Sequence, residues 1–180
     1  KQHVVTQLDL ENRRAYVEET NVNYFTDALV KKDIKVLHED ARERRDGVEA
    51  VIGDILVRNQ VSKFKKLRYR SHENVGYGDI ALPEEEMHTR AVTLVFAPGT
   101  RSGDALGELD PGMITPAIAR IGTLIRTVSP VFLLCDEQDL GVAERLKDPH
   151  FEQPCLYVYD SYPGGTGLAE SFLPRGREIL

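Results

Sequence analysis

Two stretches of the sequence carry residue types that could do chemistry. The run "YVYDSYPGGTGLAE", from Tyr157 to Glu170, sets three glycines between an apolar segment and a helical one. Backbone N–H groups at a helix N-terminus attract anions, so a phosphate cradle is the first reading to consider. A nucleotide-binding P-loop needs a lysine and a hydroxyl residue directly after its last glycine, and here Gly167 is followed by Leu168, Ala169 and Glu170. The spacing fits no dinucleotide fingerprint either. The turn reading is the better one: Pro163, Gly164, Gly165 and Gly167 form a tight structural turn that lets a helix dock closely on the sheet, with Thr166 available as its cap.

The second stretch is "RNQVSKFKKLRYR", which places Arg58, Lys63, Lys65, Lys66, Arg68 and Arg70 within 13 residues, interleaved with Phe64 and Tyr69. On a curved sheet these cations could track a nucleic-acid backbone while a ring stacks on a base, as in many single-strand binders. An edge strand guarded by lysines against unwanted pairing has the same composition. Spacing alone leaves both readings open.

The remaining candidates are weaker. Cys135 is followed by the polar "DEQD" and could present a thiolate to a metal, but a lone cysteine behind "VFLL" is commonly a buried small hydrophobe. Tetrahedral zinc takes four ligands, usually in closely spaced pairs, and neither Cys135 nor Cys155 has such a neighbour in the sequence. Cys155, beside Pro154 at the start of an apolar run, reads as structural. His88 in "EEEMHTR" reads as part of a solvated acidic turn, and Ser161 lacks the flanking glycines of a nucleophile elbow.

The elements that must position these residues follow from composition and periodicity. With 180 residues, 41% hydrophobic and 29% charged, the chain has globular usage. A net charge of -6 argues against a wholly basic nucleic-acid binder and says nothing about local patches. The longest apolar run, "PVFLLC", is far short of the ~20 residues of a membrane span. Two cysteines make no disulfide framework, so a reducing, cytoplasmic setting with no membrane partner is expected. The chain opens on Lys1 and closes on "PRGREIL", which reads as a helix cut partway in a fragment of something larger.

Residues 3–8 and 14–20 flank the polar "DLENR" and read as a β-hairpin. "DIKVLHED" alternates as a strand, and a long β-rich run begins at Val48, with Gly53 expected at a bend or bulge. Residues 1–73 are therefore expected to form a small curved β-sheet or barrel. The glycines, proline and acids of "SHENVGYGDIALPEEE" mark a boundary, and residues 74–180 are expected to form an α/β subdomain, truncated at its C-terminus. In it, "MHTRAVTLVF" reads as a strand and "APGTRSGDALGELD" as loop. A helix then starts at Asp110 and Pro111, with Met113, Ala117, Ile121, Leu124 and Val128 on its apolar face, weakened or shortened by Gly112, Pro116 and Gly122. "PVFLLC" and "CLYVY" read as buried strands and "DLGVAERLK" as a short helix. The whole is α+β.

Several stretches together resemble one family in order along the chain. "LDLENRRAYV" and "VNYFTDA", the run "VRNQVSKFKKLRYRSHENVGYGDIALPEEEMHTRAVTL", and above all "FLLCDEQDLG" and "YVYDSYPGGTGLAE" are similar to the C-terminal accessory region of MrfA/YprA-like superfamily 2 DEAD-box DNA repair helicases. The family's "LPPQEF" stands here as "LPEEEM", which keeps Pro83 and adds acid.

This resemblance implies a non-catalytic accessory region that helps a helicase hold or separate DNA. Its partners would be DNA, expected to be single-stranded, and the motor domains of the same chain. ATP and magnesium would belong to those motor domains only. It also implies a zinc-binding module with four cysteine ligands. Cys135 matches the first, the other three would fall after Leu180, and zinc is expected to be absent or incomplete here. The alternatives are a purely structural scaffold bracing the motor domains, or a similar module of a phage-defence protein. The glycine loop then resembles a structural signature of the accessory domain and not an ATP site.

Overall fold

The computed structural model describes residues 1–45 and 47–179, and of residues 45 and 175–179 the backbone alone, so most of "PRGREIL" lies outside the described side chains. The chain forms two compact units that interleave in sequence: residues 1–31 with 60–84, and residues 32–59 with 85–180. The expected division between residues 73 and 74 falls inside the first unit.

The first unit contains the expected hairpin, β1 (Gln2–Asp9) and β2 (Arg14–Thr20), antiparallel with an irregularity between Val5 and Gln7. Its turn is held by Asp9, whose carboxylate accepts from the Asn12 backbone N–H at 3.0 Å and side-chain amide at 2.9 Å. The unit also takes in the first part of β3 (Tyr24–Arg45), the last part of β4 (Val48–Arg68) and all of β5 (Asn74–Asp79). Strands usually run 3–10 residues. At 22 and 21 residues, β3 and β4 are long because each serves both units.

In the second unit the strand order is β3-β4-β6-β8-β7, with β6 at Glu85–Val95, β7 at Leu140–Arg145 and β8 at Cys155–Asp160. The β4–β6, β6–β8 and β8–β7 pairs are antiparallel. The sheet curls around Ile34, Val51, Ile55, Val57, Ala91, Val95, Cys155, Tyr157 and Tyr159. Its outer face (Ala50, Val92, Leu94, Leu156, Val158) packs against α2 (Pro111–Leu133) and α3 (Leu168–Ile179) through Ile118, Ile125 and Phe172. Because β8 and the second half of β6, from Ala91 to Val95, are buried on both faces, they read as largely apolar runs rather than alternations. β3 and β7, at the two ends of this order, are joined by side chains: the Lys32 ammonium donates to the Val142 carbonyl at 3.4 Å, and Arg145 pairs with Asp33. The result is a curled, unclosed sheet with helices on its outside, an α+β fold.

Several local expectations are corrected. "PVFLLC" is not a strand; its first four residues are the end of α2, which Leu134 terminates in the left-handed conformation at φ 54°. An apolar run of that length cannot be told from a buried helical segment by periodicity. The helix passes through Pro116 and Pro130. The donor missing at Pro130 leaves a carbonyl on Arg126, which is exposed and can be hydrated. Its buried row is Ile118, Gly122, Ile125 and Ser129, while Met113 and Leu124 are about half exposed at 52% and 49%. At Gly122 a Cβ would lie 3.0 Å from Leu156 Cδ1, so this glycine brings α2 close to β8.

"DLGVAERLK" supplies β7, not a helix; Tyr159 of β8 lies over Gly141, where a Cβ would come within 2.2 Å of the ring. The stretch expected as loop holds α1 (Arg101–Gly107), capped by Thr100, whose hydroxyl accepts from Gly103 N–H at 3.0 Å. Gly53 makes no bulge in its register with Ala91 of β6. A Cβ there would lie 2.0 Å from the His38 carbonyl oxygen, so close approach of β3 is what requires glycine.

Candidate nucleic-acid interface

The basic run is divided by the fold. Arg58 lies in the second unit, where its Nε donates to Glu86 at 2.8 Å, and the other seven singled-out residues lie in the first. There β4 and β5 pair with Lys63 opposite Asp79, Phe64 opposite Gly78, Lys65 opposite Tyr77 and Lys66 opposite Gly76. Side chains alternate between faces, so Lys63, Lys65, Tyr77 and Asp79 share one face, and Phe64 and Lys66 take the other.

On that other face the groups are engaged. The Phe64 ring covers Gly78 so closely that a Cβ there would come within 2.2 Å of it. Lys66 Nζ sits 5.5 Å from the centre of the Tyr24 ring. At the end of β4, Arg68 accompanies Glu73 at 3.5 Å, and Tyr69 lies 5.7 Å from Phe25, centre to centre. Arg70 is exposed in the turn that follows. On the first face Lys63 is exposed, Lys65 is half-buried, and Tyr77 is 60% exposed. Beside Tyr77 is a cavity of about 370 Å³ lined by Leu29, Lys63, Tyr77, Gly78 and Asp79. Tyr77 was not singled out from the sequence; its flanking glycines, Gly76 and Gly78, were the available signal.

The glycine loop has a definite occupant. Asp160, fully buried at the end of β8, accepts from the backbone N–H groups of Gly167 and Ala169, each at 2.7 Å, and from that of Thr166. The Thr166 hydroxyl adds a fourth bond at 3.2 Å. The anion-attracting start of α3 is thus filled by the chain's own carboxylate. Asp160, not Thr166, supplies the cap, and its place directly before the loop was the signal. Gly164, Gly165 and Gly167 all have φ between 77° and 83°, the left-handed region. Within the Pro163 to Gly167 loop, the Gly164 N–H donates to the His88 carbonyl at 2.8 Å.

Beneath Gly165 runs Arg90, whose guanidinium meets Asp40, Asp54 at 3.0 Å and Glu170 at 2.6 Å. Burial opposes its charge, yet hydrogen bonds to the three carboxylates raise its pKa overall. The Ser161 N–H donates to the Asp139 carbonyl.

The cysteines are set apart by their surroundings. Cys135, half-buried just after α2, has its thiol pushed up by burial and then by Asp139 and Asp136. Cys155 is fully buried inside the curled sheet, and its thiol is pushed up to about 12 by burial and then by Asp148. Among the described residues no group of three His, Cys, Asp or Glu side chains could hold a metal ion. Zinc thiolate sites need four donors, so these residues do not by themselves fit one. A larger cavity of about 660 Å³ lies in the second unit against β7. Its cations are already engaged, Lys32 over the Tyr159 ring at 5.2 Å and Arg126 with Glu137 at 3.1 Å.

Residues 121–180 match the family described as MZB, the MrfA Zn-binding domain. The chain is homologous to a region of the MrfA/YprA helicases, as its motifs led us to expect. It is 34% identical over 178 residues, 99% of its length, to "Uncharacterized ATP-dependent helicase YprA" of Bacillus subtilis (strain 168), and spans 23% of that protein. It is similar to the DUF1998 helicase MrfA bound to DNA, with a TM-score of 0.69 and 33% identity over 98% of this chain and 23% of that one. A second MrfA structure, bound to DNA and AMPPNP, gives a TM-score of 0.60 and 31% identity over 99% of this chain and 21% of that one. The chain thus spans about a quarter of the length of these relatives. Among the described residues no helix is long and apolar enough to cross a membrane.

Proposed function

We propose that this chain is a non-catalytic region of an ATP-dependent DNA helicase involved in DNA repair, and that it holds or guides single-stranded DNA. The observation that carries the proposal is the face of β4 and β5 on which Lys63 and Lys65 stand side by side, in a chain whose relatives include a helicase bound to DNA. Arg68, at the exposed end of β4 beside Glu73, and Arg70, in the turn that follows, extend the cationic track. ATP and magnesium belong, on this reading, to motor domains outside this sequence. Cys135 would contribute one zinc ligand alongside donors outside the described residues. The protein would act in the cytoplasm.

The test is fluorescence anisotropy with labelled single-stranded DNA across a salt series. Phosphate contacts release counterions, so affinity should fall steeply as salt rises. Changing Lys63, Lys65 and Lys66 together to glutamate should weaken binding more than tenfold and flatten the salt dependence. Incubation with ATP and magnesium should release no phosphate, and turnover by the pure chain would refute the non-catalytic reading.

A second reading has its own support. Val5, Leu8 and Val17 lie on one face of the β1–β2 hairpin and are 54%, 46% and 53% exposed. A two-stranded hairpin is marginal alone in water. Such a face suits a scaffold that braces motor domains, and failure of the intact chain to bind DNA at low salt would put that reading first.

A further inference from the structure

Stacking on a base needs a ring with an open face beside cations that can meet the adjoining phosphates. The basic run offers Phe64 and Tyr69 as its own rings, but Phe64 lies flat against Gly78 and Tyr69 is packed beside Phe25. The cross-strand register supplies a different ring. Tyr77 stands opposite Lys65 and two residues along from the Lys63–Asp79 pair, on the face the two lysines share. It is the most exposed of the large hydrophobic side chains recorded on β4 and β5, at 60%.

Its surroundings keep the ring open. At 60% exposure the ring keeps an open face, and the residues flanking it in the strand, Gly76 and Gly78, carry no side chains. On the face of Tyr77, opposite the one Phe64 covers, the Gly78 backbone and Leu29 shape the cavity of about 370 Å³, with Lys63 and Asp79 at its edge. The cavity is concave, with an aromatic and an aliphatic wall. Asp79 disfavours a phosphate within it, and the lysine ammonium groups favour phosphates along its rim. The pattern suits a nucleotide lying with its base in the cavity and its backbone on the lysines.

We propose that Tyr77 is a base-stacking platform and that the cavity beside it receives one unstacked base of single-stranded DNA, with Lys63 and Lys65 on the flanking phosphates. This rests on the DNA-holding reading above and adds the residue and pocket that engage the base.

The experiment uses the whole 180-residue chain and an oligothymidylate carrying one 2-aminopurine, read by anisotropy and by 2-aminopurine fluorescence. Stacking on a tyrosine quenches the probe. Tyr77→Ala should raise Kd about tenfold, the effect of losing one aromatic–base stack, and abolish the added quenching. Tyr77→Phe, which keeps the ring, should retain both. If Tyr77→Ala binds with unchanged affinity and unchanged quenching, the Tyr77 assignment is wrong while the DNA-holding reading stands. If the unaltered chain binds no oligonucleotide at low salt, both fall. Circular-dichroism melting of each variant guards against a folding defect, and Tyr77→Phe carries the test if Tyr77→Ala is poorly folded: loss of quenching in that ring-bearing variant would also overturn the proposal.

Discussion

Asp160→Ala is expected to destabilise the second unit by about 4 kcal/mol, since hydrogen bonds to a charged group each contribute roughly 1.5–3 kcal/mol and orphaned buried donors carry their own cost. The substitution removes an acceptor shared by three backbone N–H groups and the Thr166 hydroxyl. Water entering the vacated space would recover part of the loss, which is why the figure lies below the sum of the individual bonds. For a chain of this size the melting temperature should drop by roughly 10 °C, at about 2–4 °C per kcal/mol. Asp160→Asn keeps one acceptor oxygen but loses the charge, and about half the effect is expected. Thermal or urea unfolding decides it, and a melting temperature within a degree or two of the parent in both variants would show that the loop does not depend on this carboxylate.

The second large effect is expected at Arg90. Arg90→Leu leaves Asp40, Asp54 and Glu170 facing one another without their shared cation, in a site where the Arg90 side chain is only 23% exposed. Breaking a fully buried pair costs about 3–5 kcal/mol. The three carboxylates here are 38%, 48% and 40% exposed, and solvent screening brings the expected loss down to about 2 kcal/mol. Arg90→Lys should recover little of it, because a single ammonium cannot reproduce the planar fork that reaches β3, β4 and α3 at once. Urea midpoints at low and high salt provide the check. The deficit of Arg90→Leu should narrow as salt rises, because screening weakens both the lost attraction and the new repulsion. A leucine variant as stable as the parent would mean that this network fixes geometry without adding stability.

How much of this could be seen in the sequence depends on whether a signal is local. The β1–β2 hairpin was legible because its alternation and polar turn sit within one short window. β8 was legible because "CLYVY" is apolar on both faces, as a strand between two neighbours and under a helix must be. "PVFLLC" was not, since its helical state follows from α2 packing on the sheet. "DLGVAERLK" became an edge strand because Gly141 fits beneath Tyr159, a partner distant in sequence. The same holds for the candidate site. Its cations lie in one run and stood out at once, whereas Tyr77 joins them only through the register of β4 with β5. Asp160 is hard to see as a ligand in the sequence because a glycine loop before a helix has the composition of a phosphate cradle, whose anion comes from outside the chain, whereas here it is the residue just before the loop.

The register of β4 with β6 has a consequence for how such a molecule can be rebuilt. Asn59 and Glu85 are direct partners in that ladder, and everything between them belongs to the first unit. Residues 60–84 are therefore an excursion launched and recovered at facing positions of one hairpin, and residues 1–31 are the leading arm that completes it. A short turn joining Asn59 to Glu85, with the arm removed, would leave every strand segment and helix of the curled sheet connected in its present order. The same two positions are ports at which a different module could be spliced in while the sheet's ladder stays intact.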